Sequence, residues 1–210
     1  MRATARYRGG RALTEVDVRD SLHSYMKVGI VHFMAYPGIY GDPARLLKSL
    51  EAVAHDSFFG AIEVTSIPDA QTRQAAARLL KESHMAVGFG AQPRLLNGKL
   101  DLNSADPQAR QQAVAAVKAC IDEAYELGAS RLAVLSGPDP GPQSRQQALK
   151  LLIDSLDQLC SYAESRGSLG ITLEVFDRDV DKKCLGGSTA LAVAVAEALR
   201  SRHPDFGLMI

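Results

Sequence analysis

The chain has 210 residues, of which 46% are apolar and 6% aromatic, values typical of one ordinary globular domain with a sizeable core. Lysine plus arginine and aspartate plus glutamate number 24 each, so there is no net charge to attract nucleic acid or an anionic membrane. We therefore expect neither nucleic acid nor a membrane as a partner.

The cysteines and the hydropathy pattern predict a cytoplasmic protein. The three cysteines are odd in number and far apart, unlike a disulfide framework or a zinc cluster. Uninterrupted apolar runs are shorter than the ~20 residues of a membrane helix, and the first residues lack the apolar core of a signal peptide. A reducing compartment fits this pattern best.

Residues 1–25 are rich in charge, above all arginine, and show no apolar periodicity. We predict a flexible N-terminal extension here, with Met26 as the first residue of the fold. A short capping helix over residues 14–23 is the alternative that the same stretch leaves open.

From Val28 onward, short β-branched runs alternate with longer helical patterns, which indicates alternating strands and helices. Three of the helices have the same start signal, an aspartate next to a proline in the sequence. The aspartate carboxylate can accept a hydrogen bond from a backbone N–H of the first helical turn. The signals are Asp42-Pro43, Pro68-Asp69 and Asp106-Pro107. Strands are predicted at residues 28–32, 61–65, 86–90, 131–135, from about 171, and at 206–210.

The strand spacing favours an α/β fold of the (β/α)8 TIM-barrel type, present here as an incomplete barrel of about six βα units over residues 26–210. Strands begin roughly 35 residues apart, slightly above the ~31 residues per unit of a typical barrel. A complete, doubly wound open sheet is the alternative. Its glycine-rich turn is missing, because Phe33-Met-Ala-Tyr-Pro-Gly38 follows the first strand.

Ligands of parallel α/β folds bind at the carboxyl ends of the strands, so the residues at each strand exit are the candidates for chemistry. His32 follows the first strand and Glu63 lies near the end of the second. Either side chain can contact a substrate, although a lone histidine after a strand is more often a hydrogen-bonded lining residue. Gln92 stands at the third exit, and the spacing gives it no particular role.

Glu174 is the strongest candidate, because it ends an otherwise apolar strand, Ile171-Thr-Leu-Glu-Val175. A carboxylate in such a strand needs a metal, a cation or a set of donors. A metal ligand and a structural ion pair are both open at this point. Arg178 and Lys183 follow in a charged loop that either binds an anionic or hydroxyl-rich substrate or is simply solvated.

Four segments give the chain a resemblance to a known family. They are Met26-Lys-Val-Gly-Ile30, Gly60-Ala-Ile-Glu-Val64, Leu173-Glu-Val-Phe-Asp177 and Phe206-Gly-Leu-Met-Ile210. From residue 26 to residue 210 the chain resembles the xylose isomerase-like TIM-barrel superfamily, and within it the sugar or sugar phosphate isomerases and epimerases.

The resemblance implies a reaction and a cofactor. In the family, the glutamate matching Glu174 is an acid/base partner and the first of four ligands to a divalent metal, Mn, Mg, Co or Zn. A sugar or sugar phosphate is isomerised or epimerised by proton transfer through an enediolate. The other ligands come from strands six to eight, so we expect a truncated barrel with weak or absent metal binding and no activity alone.

The resemblance also leaves rival functions. A non-catalytic sugar-binding or scaffold relative is one alternative. The superfamily further contains metal-dependent endonucleases with extra histidines after strands three and four, whereas Gln92-Pro93 and Ser136-Gly137 stand at those exits here. The unpaired edges of an incomplete barrel predict a homo-oligomer.

Overall fold

The computed structural model describes residues 21–210. Most of the predicted extension, residues 1–25, and most of the alternative helix, residues 14–23, lie outside the described residues. The described part begins with a 3₁₀ turn, Leu22–Ser24.

Six parallel strands form one sheet, and they follow each other in chain order from β1 to β6. Each strand overlaps its predicted position closely, because a short β-branched run bounded by turn residues specifies a buried strand by itself. The strands are β1 Gly29–Val31, β2 Ala61–Val64, β3 Ala86–Gly90, β4 Arg131–Val134, β5 Gly170–Glu174 and β6 Gly207–Met209.

Long helices connect the strands and start where the capping residues predict. The carboxylates of Asp42, Asp69 and Asp106 each accept a hydrogen bond from a backbone N–H in the first turn of the following helix. The helices are α1 His32–Ala35, α2 Pro43–Ala54, α3 Ala70–Ser83, α4 Gln92–Asn97, α5 Pro107–Glu126, α6 Arg145–Arg166 and α7 Thr189–Arg200. The short helices α1 and α4 begin directly at strand exits and were not expected from the pattern.

The two faces of the sheet differ because side chains alternate along a strand. One face carries Ile62, Phe89, Leu132 and Leu173, all buried in the core with the helices. The other face is concave and carries small or polar residues in register, such as Gly90 beside Ala133 and Ala133 beside Thr172. This open face contains a cavity of about 440 Å³.

Within residues 21–210 the sheet does not close, since β1 pairs only with β2 and β6 only with β5. The strand order is sequential throughout. A doubly wound sheet reverses its strand order at one point, so the doubly wound alternative is wrong and the sequential order of an α/β barrel is confirmed. No helix in residues 21–210 is both long and apolar enough to cross a bilayer.

Candidate functional site

Glu174 is the last residue of β5 and lies at the rim of the sheet, partly exposed, after four buried residues. Its Oε2 atom accepts a hydrogen bond of 2.6 Å from Nε2 of Gln92, the first residue of α4. Over residues 21–210, Glu174 forms no ion pair with lysine or arginine. The donor of Glu174 is therefore a neutral amide, and the structural ion pair considered from the sequence is not observed.

Glu63 lies on β2 beside Gly88 in the sheet register and lines the concave face. Burial raises the pKa of Glu63, and the negative charge of Glu174 raises it further. The structure thus brings these two predicted residues close enough to interact electrostatically. In the described part of the chain, Glu63 has neither an ion pair nor a side-chain hydrogen bond.

Gly90 separates the side chains of Glu63 and Gln92. A Cβ atom on Gly90 would lie 2.8 Å from Glu63 Oε1 and 2.9 Å from Gln92 Oε1. Gln92 is only 6% exposed, and its Oε1 atom is buried without a hydrogen-bond partner in the described structure. Two side-chain oxygens therefore pack closely over Gly90, so that a larger residue there would displace them.

His32 occupies a different environment. It is buried as the first residue of α1, its Nε2 lies 2.8 Å from Ser49 Oγ, and its ring packs on Tyr36. Burial lowers its pKa to about 4, so the imidazole is neutral at pH 7. His32 lines an apolar cavity of about 310 Å³ that does not include Glu63 or Glu174.

The charged loop after β5 is folded around Asp177. Its carboxylate accepts hydrogen bonds from the backbone N–H groups of Val180, Asp181 and Lys182 at 2.7 to 3.0 Å. The hydrogen bond from Lys182 is the largest of the influences that lower the pKa of Asp177 to about 2. The loop is therefore held by its own aspartate rather than being merely solvated.

Within this loop, Arg178 and Lys183 differ in their surroundings. The Arg178 Nε atom is buried without a hydrogen bond and lies 3.8 Å from Asp139 Oδ2. Arg145 also contacts this carboxylate, at 2.6 Å. Lys183 is exposed, and its backbone carbonyl accepts a hydrogen bond from Asp139 N–H. The charge of Arg178 is thus directed at Asp139.

A divalent metal fits these residues in part. Glu174 presents a carboxylate at a strand exit, with Glu63 nearby, and hard cations prefer such oxygen ligands. Within residues 21–210, however, no group of three or more His, Cys, Asp or Glu side chains is placed to hold a metal. Among the described residues, Glu174 is the carboxylate that stands at a strand exit with one oxygen free of hydrogen bonds.

The parallel strands in sequential order and the carboxylates at their exits define an α/β protein of the TIM-barrel class. A family model described as xylose isomerase-like TIM barrel matches residues 51–210, more than half of the chain. The chain belongs to this family. No curated protein matches the sequence.

Solved structures support the fold. D-psicose 3-epimerase with D-tagatose from Clostridium cellulolyticum H10 is similar with a TM-score of 0.65 and 18% identity, over 88% of this chain and 63% of that one. AP endonuclease family 2 from Brucella melitensis has a TM-score of 0.63 and 18% identity, over 81% of this chain and 64% of that one. The IolI protein with a bound zinc atom has a TM-score of 0.63 and 14% identity, over 87% of this chain and 62% of that one.

These identities are low, so the similarity establishes the fold and leaves the activity to the residues of the site. The chain spans less than two thirds of the length of each of these three proteins. The epimerase and the endonuclease share one fold, which shows that the fold alone does not select between sugar and nucleic acid.

Proposed function

We propose that the protein is a divalent-metal-dependent isomerase or epimerase of sugars or sugar phosphates. The observation that carries the proposal is the position of Glu174, a carboxylate at the carboxyl end of β5 with only a neutral amide as its donor. A carboxylate at this edge of a parallel α/β sheet faces bound ligands. The sugar epimerase among the similar solved structures supports the substrate class.

In this proposal Glu174 moves the proton. Its carboxylate takes a proton from the carbon next to the sugar carbonyl, which leaves an enediolate. Return of that proton to the former carbonyl carbon, while the hydroxyl proton moves to the former carbonyl oxygen, gives the isomer. An epimer requires a second acid that protonates the same carbon from the opposite face. The hydrogen bond from Gln92 holds one carboxylate oxygen in place, and the other oxygen has no hydrogen-bond partner in residues 21–210.

Four other residues are proposed to bind the substrate. Glu63 is proposed to accept hydrogen bonds from sugar hydroxyls on the concave face. His32, a neutral ring beside Ser49, is proposed to contact a substrate from the separate cavity at the first strand exit. Arg178 and Lys183 supply positive charge at the rim, and the exposed Lys183 is the better placed to reach a phosphate.

A divalent cation, Mn, Mg, Co or Zn, is proposed to bind at Glu174, and the zinc in the similar IolI structure supports a metal in this fold. When bound, such a cation polarises the carbonyl and stabilises the negative charge that proton removal creates. Because residues 21–210 hold no cluster of three ligands, we expect these residues alone to bind metal weakly and to lack turnover.

The proton-transfer step is tested by hydrogen exchange on a ketohexose. The natural full-length protein carrying this sequence is incubated with D-tagatose and Mn²⁺ in D₂O, and deuterium uptake beside the carbonyl is followed by NMR. We expect uptake that falls about 10²- to 10⁴-fold in Glu174→Gln, as for loss of a general base. Glu197→Gln, on an exposed position of α7, is the matched control.

The same experiment separates the rival functions. Sugar binding without deuterium uptake would favour the non-catalytic sugar-binding relative. Neither binding nor uptake over a panel of ketoses, aldoses and their phosphates would overturn the proposal. Tight stoichiometric Mn²⁺ binding by the 210 residues in calorimetry would contradict the expected incomplete metal site.

Two further expectations belong to the proposal. Nucleic acid is not the expected partner, because the net charge is zero and glutamine and serine stand at the exits of β3 and β4. The cytoplasm is the proposed compartment, since the three cysteines are buried and unpaired, as in proteins of reducing compartments.

A further inference from the structure

The cavity beside His32 lies in the helical layer, behind β2. Its lining includes Val64, whose side chain points away from the concave face, because it follows Glu63 on the strand and successive side chains alternate. The volume of about 310 Å³ lies at the lower end of the range found for small-molecule sites. Five apolar side chains form most of its wall: Ile39, Leu46, Leu50, Val64 and Ile67.

The charges around the cavity favour an uncharged ligand. Tyr40, which is 56% exposed, belongs to the lining, so the cavity opens to the surface. Asp42 and Asp69 line it too, whereas no lysine or arginine of residues 21–210 does. Both carboxylates already accept hydrogen bonds at the N-termini of α2 and α3. An anion in the cavity would therefore meet two carboxylates and no cation.

His32 supplies the cavity with one hydrogen-bond acceptor. Ser49 Oγ lies 2.8 Å from His32 Nε2 and 2.9 Å from the carbonyl oxygen of Leu46. A hydroxyl has one hydrogen and a carbonyl only accepts, so Ser49 donates to Leu46 and accepts from His32. The neutral ring therefore has its hydrogen on Nε2 and a lone pair on Nδ1. Within residues 21–210, Nδ1 has no hydrogen-bond partner, and it is not closed off from solvent.

We propose that this cavity binds a small uncharged aromatic molecule with one N–H or O–H donor, such as an indole or a phenol, and that His32 Nδ1 accepts the hydrogen bond. The volume is about twice that of the ~150 Å³ apolar cavity that takes up benzene, so a two-ring molecule fits. The rings of His32 and Tyr40 in the lining favour a flat aromatic ligand. A ligand without a donor would leave Nδ1 unpaired among apolar groups, which weakens binding.

This inference does not rest on the proposed sugar chemistry. Glu63 and Glu174 lie outside the cavity, on the concave side and at the rim of the sheet. A substrate that contacted His32 would compete with the aromatic ligand for one ring only, and its other proposed contacts would stay available.

Three probes of similar shape test the ligand class on the 210-residue chain. Indole has the N–H donor, benzofuran has an oxygen in its place, and indole-3-acetate adds a negative charge. The chain contains no tryptophan, so the emission of indole reports the ligand alone, and ligand-observed NMR measures all three affinities. We expect indole to bind at least about tenfold more tightly than either of the other two, because benzofuran lacks the donor and the acetate meets the carboxylates.

Substitutions locate the ligand. Leu46→Phe adds bulk to the cavity and should weaken the binding of indole at least about tenfold. Leu47→Phe is the matched control, because Leu47 is also a partly buried leucine of α2 but does not line the cavity. His32→Phe keeps a ring and removes the acceptor, so indole and benzofuran should then bind equally well. Circular dichroism and a thermal melt confirm that the variants fold.

Each contrary result would overturn the inference. Equal affinities of the unaltered chain for indole and benzofuran would show that His32 Nδ1 accepts no hydrogen bond from the ligand. Unchanged binding of indole by Leu46→Phe would place the ligand outside the cavity. If neither indole nor phenol bound to the unaltered chain at millimolar concentration, the cavity would not be a site for aromatic donors, and the proposed function at Glu174 would still stand.

Discussion

Gln92 and Glu174 are 82 residues apart in the chain, yet Gln92 Nε2 donates a hydrogen bond of 2.6 Å to Glu174 Oε2. The contact joins the exits of β3 and β5 across the intervening strand β4. It places a neutral amide, rather than a cation, beside the proposed acid/base residue. Among residues 21–210, no lysine or arginine forms an ion pair with this carboxylate.

Gln92→Glu should destabilise the fold at neutral pH. It replaces the donor of Glu174 by a third carboxylate close to Glu63 and Glu174, so repulsion should lower the free energy of unfolding by about 1–3 kcal/mol at pH 7.5. Protonation of the cluster should recover most of the loss at pH 5. Urea unfolding at both pH values measures the effect.

Gln111→Glu, on an exposed position of α5, adds the same charge at the surface and is the control for this prediction. Its effect should stay within about 0.5 kcal/mol. A loss in Gln92→Glu that did not depend on pH would show that packing, and not charge repulsion, explains it.

His203 should make stability depend on pH. It is 5% exposed, its Nδ1 lies 2.8 Å from Glu164 Oε1 and its Nε2 lies 2.9 Å from Asp157 Oδ1. Both ring nitrogens can donate only when the imidazole is protonated. Burial lowers the pKa of His203, but the hydrogen bonds and charges of the two carboxylates outweigh it and the pKa is raised above 6.5.

The direction of this pH dependence follows from the linkage between protonation and folding. A raised pKa in the folded state means that the stabilisation is complete below pH 6.5 and is lost as the pH rises through the folded pKa. We expect the free energy of unfolding to fall by about 1–2 kcal/mol above that pKa. His203→Gln should abolish this part of the pH dependence in urea titrations, and an unchanged profile would contradict the assignment.

Asp177→Ala should open the loop after β5. Three backbone N–H groups lose their acceptor, and the amides of Val180, Asp181 and Lys182 should exchange with deuterium at least about tenfold faster, as for locally unfolded segments. Cys184, which is 3% exposed and whose N–H donates to Asp177 O, should then react with Ellman's reagent.

Asp181→Ala is the control for the loop, because its exposed carboxylate contacts only Lys182 among the described residues. It should leave exchange and thiol reactivity unchanged. The other cysteines, Cys120 and Cys160, should stay unreactive in both variants, since burial raises the pKa of each thiol to about 12. Equal thiol reactivity in the two variants would show that Asp177 does not hold the loop.

The open sheet predicts self-association of the 210 residues. Strands β1 and β6 each have one neighbour within residues 21–210, and unpaired strand edges pair with other chains. Light scattering should show species larger than a monomer. Ile210→Lys places a charge next to β6, where Ile210 is 95% exposed, and should shift the population toward monomer.

Val180→Lys makes the same change at a residue that is 81% exposed in the loop after β5, and should leave the association as it is. A monodisperse monomer for the unaltered chain would contradict the prediction. An equal response to the two substitutions would show that a general charge effect, rather than the edge of β6, controls association.

The sequence by itself determined the strands and the helix starts, and it singled out Glu174 as the candidate for chemistry. Strand runs and aspartate caps act within three or four residues, so the chain contains their signals locally. Residues in one strand alternate between faces, and strand exits share one edge, which is sufficient to place Glu63 and Glu174 on the ligand side of the sheet.

Only the tertiary structure decided which of these residues meet. His32 and Glu63 both stand near strand exits, yet His32 begins a helix, lies beside Ser49 and lines a separate cavity. Glu63 instead lies near enough to Glu174 for the charge of Glu174 to raise its pKa, in addition to the effect of burial. The hydrogen bond from Gln92 to Glu174 arises from the register of β3, β4 and β5. Because that register depends on packing between residues far apart in the chain, no local pattern in the sequence contains it.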